Sequence, residues 1–369
     1  MDQSCQTIKA VPSWLWLAGV AGISIPFLWT EFRKRQATRS LGHKQHDFTK
    51  KPQQQTVAIE PLCSFDWTKQ DPLRPRPFKP TYNITMGLQA DTISNLIVID
   101  KTYRQNIELR REIIATHGKT VHGLVPEGAD SIRELYEFLM VDYLPVRYPT
   151  LFQLSPDKMV MHNLATGKSF PTRAVEDLDQ SLRIIAETVE DDFFLLHETP
   201  EGHRSVAFVV CFASGFDPSE KLGQGLKDIH GPVPSYDKIG PSMERFFSRL
   251  EVGRVVKRGN WAIQTHPNMF AGEGKHPTES DAKYDDMAID IEQTYYRTEL
   301  QALSRLPKTR AILFSFKTYL TPMTDIKAEG SGEQLADAIE GLKNGNAPGM
   351  WVYKGGSRWA RKVCDYLRS

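Results

Sequence analysis

Residues 193–212, FFLLHETPEGHRSVAFVVCF, decide the fold class of this chain. The runs 193–196 and 205–212 are apolar and rich in Phe and β-branched residues, which predicts two buried strands. The polar stretch HETPEGH between them contains Pro and Gly and is predicted to be a turn. A strand pair joined by so short a connection is typical of an antiparallel sheet.

The segments around this pair show short strands joined by turns or single helices. Hydrophobic periodicity predicts helices over 131–143 and 174–189, a short helix after Pro241, and strands over 254–264, 295–302 and 311–319. Ser131 and Glu134 have the spacing of a capping box, and Pro145 is expected to end the first helix. Because no regular β-α-β alternation occurs, the sequence predicts an α+β fold with an antiparallel sheet.

Composition and charge are those of a folded protein. Hydrophobic residues make up 40% of the 369 residues and charged residues 25%, which excludes disordered, collagen-like and multi-span membrane chains. The formal net charge is +1, so no field favours a nucleic-acid partner. The four cysteines lie far apart without a C-x-x-C pair, so neither a disulfide scaffold nor a zinc or iron–sulfur site is expected, and a reducing compartment is the simpler interpretation.

The N-terminal region predicts a membrane anchor. Residues 11–29, VPSWLWLAGVAGISIPFLW, carry no charge and are about long enough to cross a bilayer as a helix. Only Lys9 precedes this run, whereas Arg33, Lys34, Arg35 and Arg39 follow it, which places the C-terminal side in the cytoplasm.

Four regions follow from this asymmetry. We expect a short non-cytoplasmic N-terminus (1–10), a single-pass transmembrane anchor (11–30), a basic juxtamembrane segment with a flexible tether (31–70) and one globular domain (71–369). The endoplasmic reticulum is the expected membrane. A lumenal glycosyltransferase behind an anchor is disfavoured, because such enzymes keep their short N-terminus in the cytoplasm.

His230 is the candidate metal ligand. It lies in LKDIHGPVP (226–234), at the end of a short helical stretch, where Pro232 and Pro234 restrain the backbone. A neutral imidazole held in this way could bind a metal or haem iron, although histidines with a purely structural role are commoner.

A candidate strand places Arg297, Glu299 and Gln301 on one face, because side chains alternate with period two. Three long polar side chains on one face indicate either a solvated sheet edge or a polar pocket. The segment RGNW, which contains Arg258 and Trp261, raises the same choice on a neighbouring candidate strand.

Short motifs occur in order over the chain from about residue 75 onward. They are PFKP (77–80), MGL (86–88), YLPVRYP (143–149), KLG (221–223), IHGPVP (229–234), RGNW (258–261), R-x-E-x-Q-x-L (297–303), RLP (305–307), TYL (318–320) and YKG (353–355). Each motif alone is weak, but the ordered set resembles the family of haem-dependent oxidative N-demethylases.

The resemblance implies a PAS-like fold in which an antiparallel sheet flanked by helices binds haem b. By position, His230 becomes the candidate iron ligand, and Arg258 and Trp261 become candidate haem contacts. Arg258 together with Arg297, Glu299 and Gln301 forms the candidate catalytic pocket; these four residues come from the two polar strand motifs.

The implied activity is that of a monooxygenase that uses O2 to remove an N-methyl group from a small amine. This chain has no flavin or iron–sulfur motif, so electrons are expected from a separate reductase. The alternative is a haem PAS sensor that binds a gas or responds to redox state without turnover.

Overall fold

A seven-stranded antiparallel sheet forms the centre of the structure, a computed structural model that describes residues 58–272 and 289–369. The strands of these residues are β1 (Gln89–Asp91), β2 (His122–Leu124), β3 (Phe152–Leu154), β4 (Val160–Asn163), β5 (Lys168–Pro171), β6 (Asp192–Thr199), β7 (Gly202–Val209), β8 (Val255–Gln264), β9 (Tyr295–Arg305) and β10 (Ile312–Pro322). In the large sheet their order is β1-β8-β9-β10-β6-β7-β2, with each neighbouring pair antiparallel. Strands β3, β4 and β5 form a separate small sheet.

Helices cover both faces of the large sheet. The α-helices of the described residues are α1 (Tyr103–His117), α2 (Ala129–Glu137), α3 (Leu144–Arg147), α4 (Leu178–Ala186), α5 (Leu226–Ile229), α6 (Gly240–Arg249), α7 (Met323–Ala328), α8 (Gly332–Glu340), α9 (Met350–Tyr353) and α10 (Gly356–Arg368). Helices α1, α2 and α4 bury Ile107, Leu135 and Leu182 in one core cluster with Phe193 and Leu313 of the sheet. The predicted α+β class, with an antiparallel sheet flanked by helices, is confirmed.

The opposite face of the sheet is covered by α5 and α6. Leu226 of α5 and Phe247 of α6 pack in one cluster with Leu303 of β9. The C-terminal helices α7 to α10 bury their apolar faces in another cluster with Trp261 of β8 and Tyr296 of β9. Every strand predicted from residues 193 to 319 is present, because each pairs with a neighbour that buries its apolar side chains.

The predicted helix over 131–143 is present, but it begins two residues earlier and its second half is π-helical. Helix α2 begins at Ala129 and passes directly into a π-helical segment, Phe138–Tyr143. Pro145 does not end this helix but lies in the first turn of α3, where its missing N–H is not required.

The capping box predicted from Ser131 and Glu134 is wrong. Ser131 lies inside α2, and its Oγ is 2.8 Å from Nε2 of His197 on β6. The Glu134 carboxylate accepts hydrogen bonds from the backbone N–H groups of Lys308 and Thr309, at 2.6 and 2.7 Å. Both side chains therefore join the helix to the sheet instead of satisfying the start of the helix.

The globular part begins before the predicted boundary at residue 71. Leu62, Phe65 and Trp67, in the stretch predicted to be tether, pack against the main core cluster. The Leu62 N–H donates a 2.8 Å hydrogen bond to the Arg147 carbonyl, so this stretch is anchored through its backbone as well. Apolar side chains spaced along the stretch give it enough buried surface to dock.

The predicted anchor, residues 11–30, lies outside the described residues, as does the tether up to residue 57. Within residues 58–272 and 289–369, no helix combines the length and apolar character of a membrane span. Cys211 and Cys364 are buried free thiols, whereas Cys63 is disulfide-bonded, which the spacing of the cysteines did not predict.

Candidate functional site

A cavity of about 470 Å³ lies against the face of the sheet that α5 and α6 cover. Strands β8 and β9 pair so that Arg258 is opposite Gln301 and Asn260 is opposite Glu299. Directly opposite residues of an antiparallel pair share a face, and all four side chains line the cavity. Because β9 lies between β8 and β10, the alternative of a solvated sheet edge is excluded.

The cavity has a polar end and an apolar end. Next to the four polar residues, the wall of the cavity becomes apolar. The sheet contributes Phe194, Leu196, Leu303, Phe314 and Phe316 to this wall. The segment that covers the sheet contributes Ile229, Val233, Met243 and Phe247. A cavity of this size, mostly apolar with a few convergent polar groups, is typical of small-molecule and cofactor sites.

His230 lines the cavity from the covering segment. It directly follows α5, and its Nδ1 donates a 2.8 Å hydrogen bond to the carbonyl of Leu226, the first residue of that helix. Its ring stacks on Tyr236, with the centroids 4.7 Å apart and the planes within 4°. Because Nδ1 carries the donated proton, Nε2 is the nitrogen that keeps a free lone pair. Burial lowers the pKa of His230, so the imidazole is neutral near pH 7.

Glu299 is held by two neighbouring amides. Gln301 Nε2 and Asn260 Nδ2 donate to the same oxygen, Oε2 of Glu299, at 2.9 and 3.3 Å. Within the described residues, no hydrogen bond engages the other oxygen, Oε1, and Glu299 lines the cavity. Among the described residues that line the cavity, Glu299 is the single carboxylate.

Arg258 brings a cation to the polar end of the cavity. Its Nε is buried and has no hydrogen-bond partner within the described residues. Burial lowers the pKa of Arg258, while Tyr82 and Glu299 raise it. A guanidinium with an unsatisfied buried N–H is costly unless a ligand supplies the acceptor.

Arg297 lines the same cavity but uses its guanidinium to hold the backbone. Nη2 donates to the Phe212 carbonyl, and Nη1 donates to the Met269 carbonyl at 3.2 Å and to Gln264 Oε1 at 3.3 Å. The predicted shared face of Arg297, Glu299 and Gln301 is confirmed. Both terminal nitrogens of Arg297 are occupied by these structural contacts, whereas its buried Nε has no hydrogen-bond partner within the described residues.

Trp261 does not line the cavity. It is opposite Thr298 on the reverse face of β8 and packs against Tyr296, with ring centroids 6.0 Å apart. The period-two alternation that brings Arg258 and Asn260 to the cavity turns Trp261 away from it. The haem contact expected from the RGNW motif therefore cannot involve the Trp261 ring in this arrangement.

Sequence reasoning gave no role to Lys354, which also lines the cavity. Its Nζ donates to the Trp261 carbonyl and lies 5.2 Å from the centre of the Trp261 ring. Burial lowers the pKa of Lys354 to about 8. The only sequence signal was its place in the YKG motif, because nothing near it in the chain indicates that it reaches β8.

The family model described as haem-dependent oxidative N-demethylase, alpha subunit-like, matches residues 87–364. This chain belongs to that family. The match covers His230 and the polar residues of β8 and β9, and it confirms the resemblance inferred from the ordered motifs.

The residues of the cavity fit the haem on which this N-demethylase family depends. A neutral imidazole with a free Nε2 could bind the haem iron, and the apolar walls would suit the apolar surface of a porphyrin. Arg258 and Lys221 line the cavity as cations that suit propionate groups. Within the described residues, no group of three or more His, Cys, Asp or Glu side chains is arranged to hold a metal ion.

Proposed function

We propose that this protein is a haem b-dependent monooxygenase that removes an N-methyl group from a small amine. The observation that carries the proposal is His230, whose Nδ1 donates to the Leu226 carbonyl while the ring lines a cavity that also contains the carboxylate of Glu299. A second hydrogen bond that fixes the tautomer is what a histidine ligand usually has.

One set of side chains in the cavity would hold the haem, and another would hold the substrate. His230 Nε2 would hold the iron, and Arg258 and Lys221 would balance the propionate charges. Glu299 Oε1 would accept a hydrogen bond from the substrate ammonium, and Gln301 keeps that carboxylate in place. The aromatic and aliphatic wall excludes water and so strengthens these polar contacts.

Bound haem would supply activation of dioxygen, with two electrons from a partner, for hydroxylation of the N-methyl carbon. The hydroxylated amine then releases formaldehyde and leaves an amine with one methyl group fewer. The family description refers to an alpha subunit, which supports a separate electron-donating protein. A common membrane would raise the effective concentration of the two partners, with the domain facing the cytoplasm at the endoplasmic reticulum.

We also propose that the haem domain is PAS-like. The five central strands follow one another along the chain as β6, β7, β8, β9 and β10. In the sheet they lie in the order β7-β6-β10-β9-β8, so the first strand of the five is next to the last. The helical segment between β7 and β8 carries His230 and covers one face of this sheet. Both features support the proposal.

The first test is the absorption spectrum of the haem-loaded chain and of His230→Ala. We expect wild type to show a histidine-ligated spectrum, and His230→Ala to lose haem or to become high-spin, with partial rescue by imidazole. His162→Ala is the matched control, because His162 is a half-buried residue of the small sheet that contacts Ser169 and does not line the cavity. An unchanged spectrum in His230→Ala would remove this residue from the site.

Product analysis separates the enzyme from the gas sensor. With a reductant and O2, the enzyme should form formaldehyde and the demethylated amine in equal amounts from a small methylated amine. Haem binding and reversible O2 binding without formaldehyde, across a panel of methylated amines, would favour the sensor instead.

A further inference from the structure

We propose that Lys354 is a positioning residue that competes with the substrate ammonium for Glu299 and so makes amine binding depend on pH. This inference rests on the proposed function, in which Glu299 holds the amine. The competing cation comes from the C-terminal part of the chain, far in sequence from the polar strands.

The backbone on both sides of Lys354 is fixed. Its N–H donates to the Met350 carbonyl at 3.0 Å, and its carbonyl accepts from Trp359 Nε1 at 3.2 Å. Gly355 follows with a left-handed φ of 75°, which ends α9 and starts α10. The ends of two helices therefore fix the backbone of Lys354, and its side chain lines the cavity.

The ammonium group of Lys354 has no fixed countercharge. Its hydrogen bond goes to the neutral carbonyl of Trp261, and within the described residues no carboxylate lies at ion-pair distance from Nζ. Trp261 is next to Asn260, whose Nδ2 donates to Glu299, and the side chains of Lys354 and Glu299 line the same cavity. At this end Glu299 raises the pKa of Lys354 and Arg258 lowers it. Lys354 and a bound ammonium would thus be two cations sharing one carboxylate.

Lys354 is the group facing this end of the cavity that changes charge between pH 7 and 9. Burial lowers its pKa to about 8, so it is mainly protonated at pH 7 and mainly neutral at pH 9. Tyr353 faces it from α9 with a pKa raised to about 12, and burial also raises the pKa of Tyr82. Arg258 stays charged, and Glu299 is the acid on which both cations act.

The sign of the effect follows directly. If the ammonium binds beside Glu299 only when Lys354 is neutral, its Kd falls about tenfold from pH 7 to pH 9, since one unit of pKa corresponds to a tenfold change in population. Simple alkylammonium ions titrate near lysine, so the probe itself stays cationic over most of this range.

The experiment measures Kd of dimethylammonium chloride for the haem-loaded full chain from pH 6.5 to 9, by calorimetry and by the shift of the haem spectrum. N,N-dimethylformamide, a neutral molecule with the same two N-methyl groups, is the comparison probe. The variants are Lys354→Met, which keeps the apolar stem without charge, and Lys354→Arg, which stays charged at every pH.

We expect about tenfold tightening with pH in wild type. Lys354→Met should bind tightly at every pH, Lys354→Arg should bind weakly at every pH, and dimethylformamide should show no dependence on pH. Thermal unfolding of each variant reports whether it is folded, and the wild-type profile with its neutral probe tests the proposal even if a variant does not fold.

Three results would overturn the role of Lys354: a flat wild-type profile, the same pH dependence in Lys354→Met, or no dimethylammonium binding at any pH. The formaldehyde assay then shows separately whether the proposed function stands. Haem binding with formaldehyde release and a flat profile removes only Lys354, whereas a haem-loaded chain that never releases formaldehyde removes the demethylase function itself.

Discussion

Arg297 and Gln301 lie on the same face of β9 but are held in different ways. Arg297 is buried, and its guanidinium joins the end of β7 to the loop after β8 through the Phe212 and Met269 carbonyls. Gln301 makes one side-chain contact, to Glu299, and borders the cavity. Equal spacing along a strand therefore does not give equal roles.

Arg297→Ala should lower the free energy of unfolding by about 3 kcal/mol, because it leaves buried carbonyls without donors. Gln301→Ala is the matched control on the same face and should change stability by less than about 1 kcal/mol. Chemical denaturation followed by circular dichroism measures both. Equal losses in the two variants would show that Arg297 is not a structural arginine.

Asp191 is buried on the opposite side of the sheet, and its Oδ2 has no hydrogen-bond partner within the described residues. Burial raises the pKa of Asp191 from 3.8 to about 7. The folded protein therefore binds a proton here that the unfolded chain releases near pH 4. Stability from this group is fully present below about pH 4 and is lost as the pH rises to 7.

Asp191→Asn should remove this loss and raise the free energy of unfolding at pH 8 by about 2–4 kcal/mol, with little change at pH 4. Denaturant unfolding at both pH values checks the prediction. Asp130→Asn is the control, since Asp130 is exposed and pairs with Arg133 on the surface. The prediction fails if the wild-type and Asp191→Asn curves run parallel between the two pH values.

At the scale of elements, α6 forms part of the apolar wall of the cavity through Met243 and Phe247. Its C-terminal carbonyls are satisfied from the sheet. Arg305, at the end of β9, donates to the carbonyls of Phe247 and Leu250, the latter at 2.7 Å. A side chain of the sheet thus ends the helix that closes the cavity.

Arg305→Met should loosen the last turn of α6 and cost about 2 kcal/mol of stability, since three carbonyls lose a buried donor. Hydrogen exchange of the α6 amides is the direct measurement, with faster exchange expected in the last turn first. Arg249→Met, at the exposed end of the same helix, removes the same charge and should leave this exchange unchanged.

At the scale of the whole molecule, the large sheet separates two different interiors. On one side Lys317 is buried between Asp100 and Glu190, with Nζ–O distances of 2.7 and 2.8 Å. Burial alone would lower the pKa of Lys317, but the two carboxylates outweigh burial and raise it. That face is filled by internal ion pairs, whereas the cavity lies on the other face.

The proposed placement of the domain on the cytoplasmic side of a membrane can be tested on the folded domain. Asn83-Ile84-Thr85 is the single N-x-S/T sequon of the chain, and the side chain of Asn83 is exposed. A domain facing the cytoplasm should carry no glycan there when produced in a eukaryotic host. A mass shift removed by endoglycosidase would place the domain in the lumen.

The sequence alone determined the fold class, most strands and the candidate ligand. Strands such as 295–302 are long apolar or alternating runs whose pattern depends only on neighbouring residues, so they were predictable. That His230 directly follows a short helical stretch was predictable from its neighbours, whereas its role as the iron ligand came from the resemblance and stays a prediction. The family was predictable because the order of short motifs along the chain can be recognised without knowing which residues are in contact.

Tertiary structure alone decided which polar residues share the cavity and what each one does there. Strand register brings Arg258 to Gln301 and turns Trp261 away, and register is set by pairing between strands far apart in sequence. Lys354 enters the same cavity from the C-terminal helices, and Arg297 is occupied by carbonyls of two loops. These roles depend on which polar groups, far apart in sequence, find hydrogen-bond partners when the chain packs. The residues next to each position in the sequence do not show which groups these are.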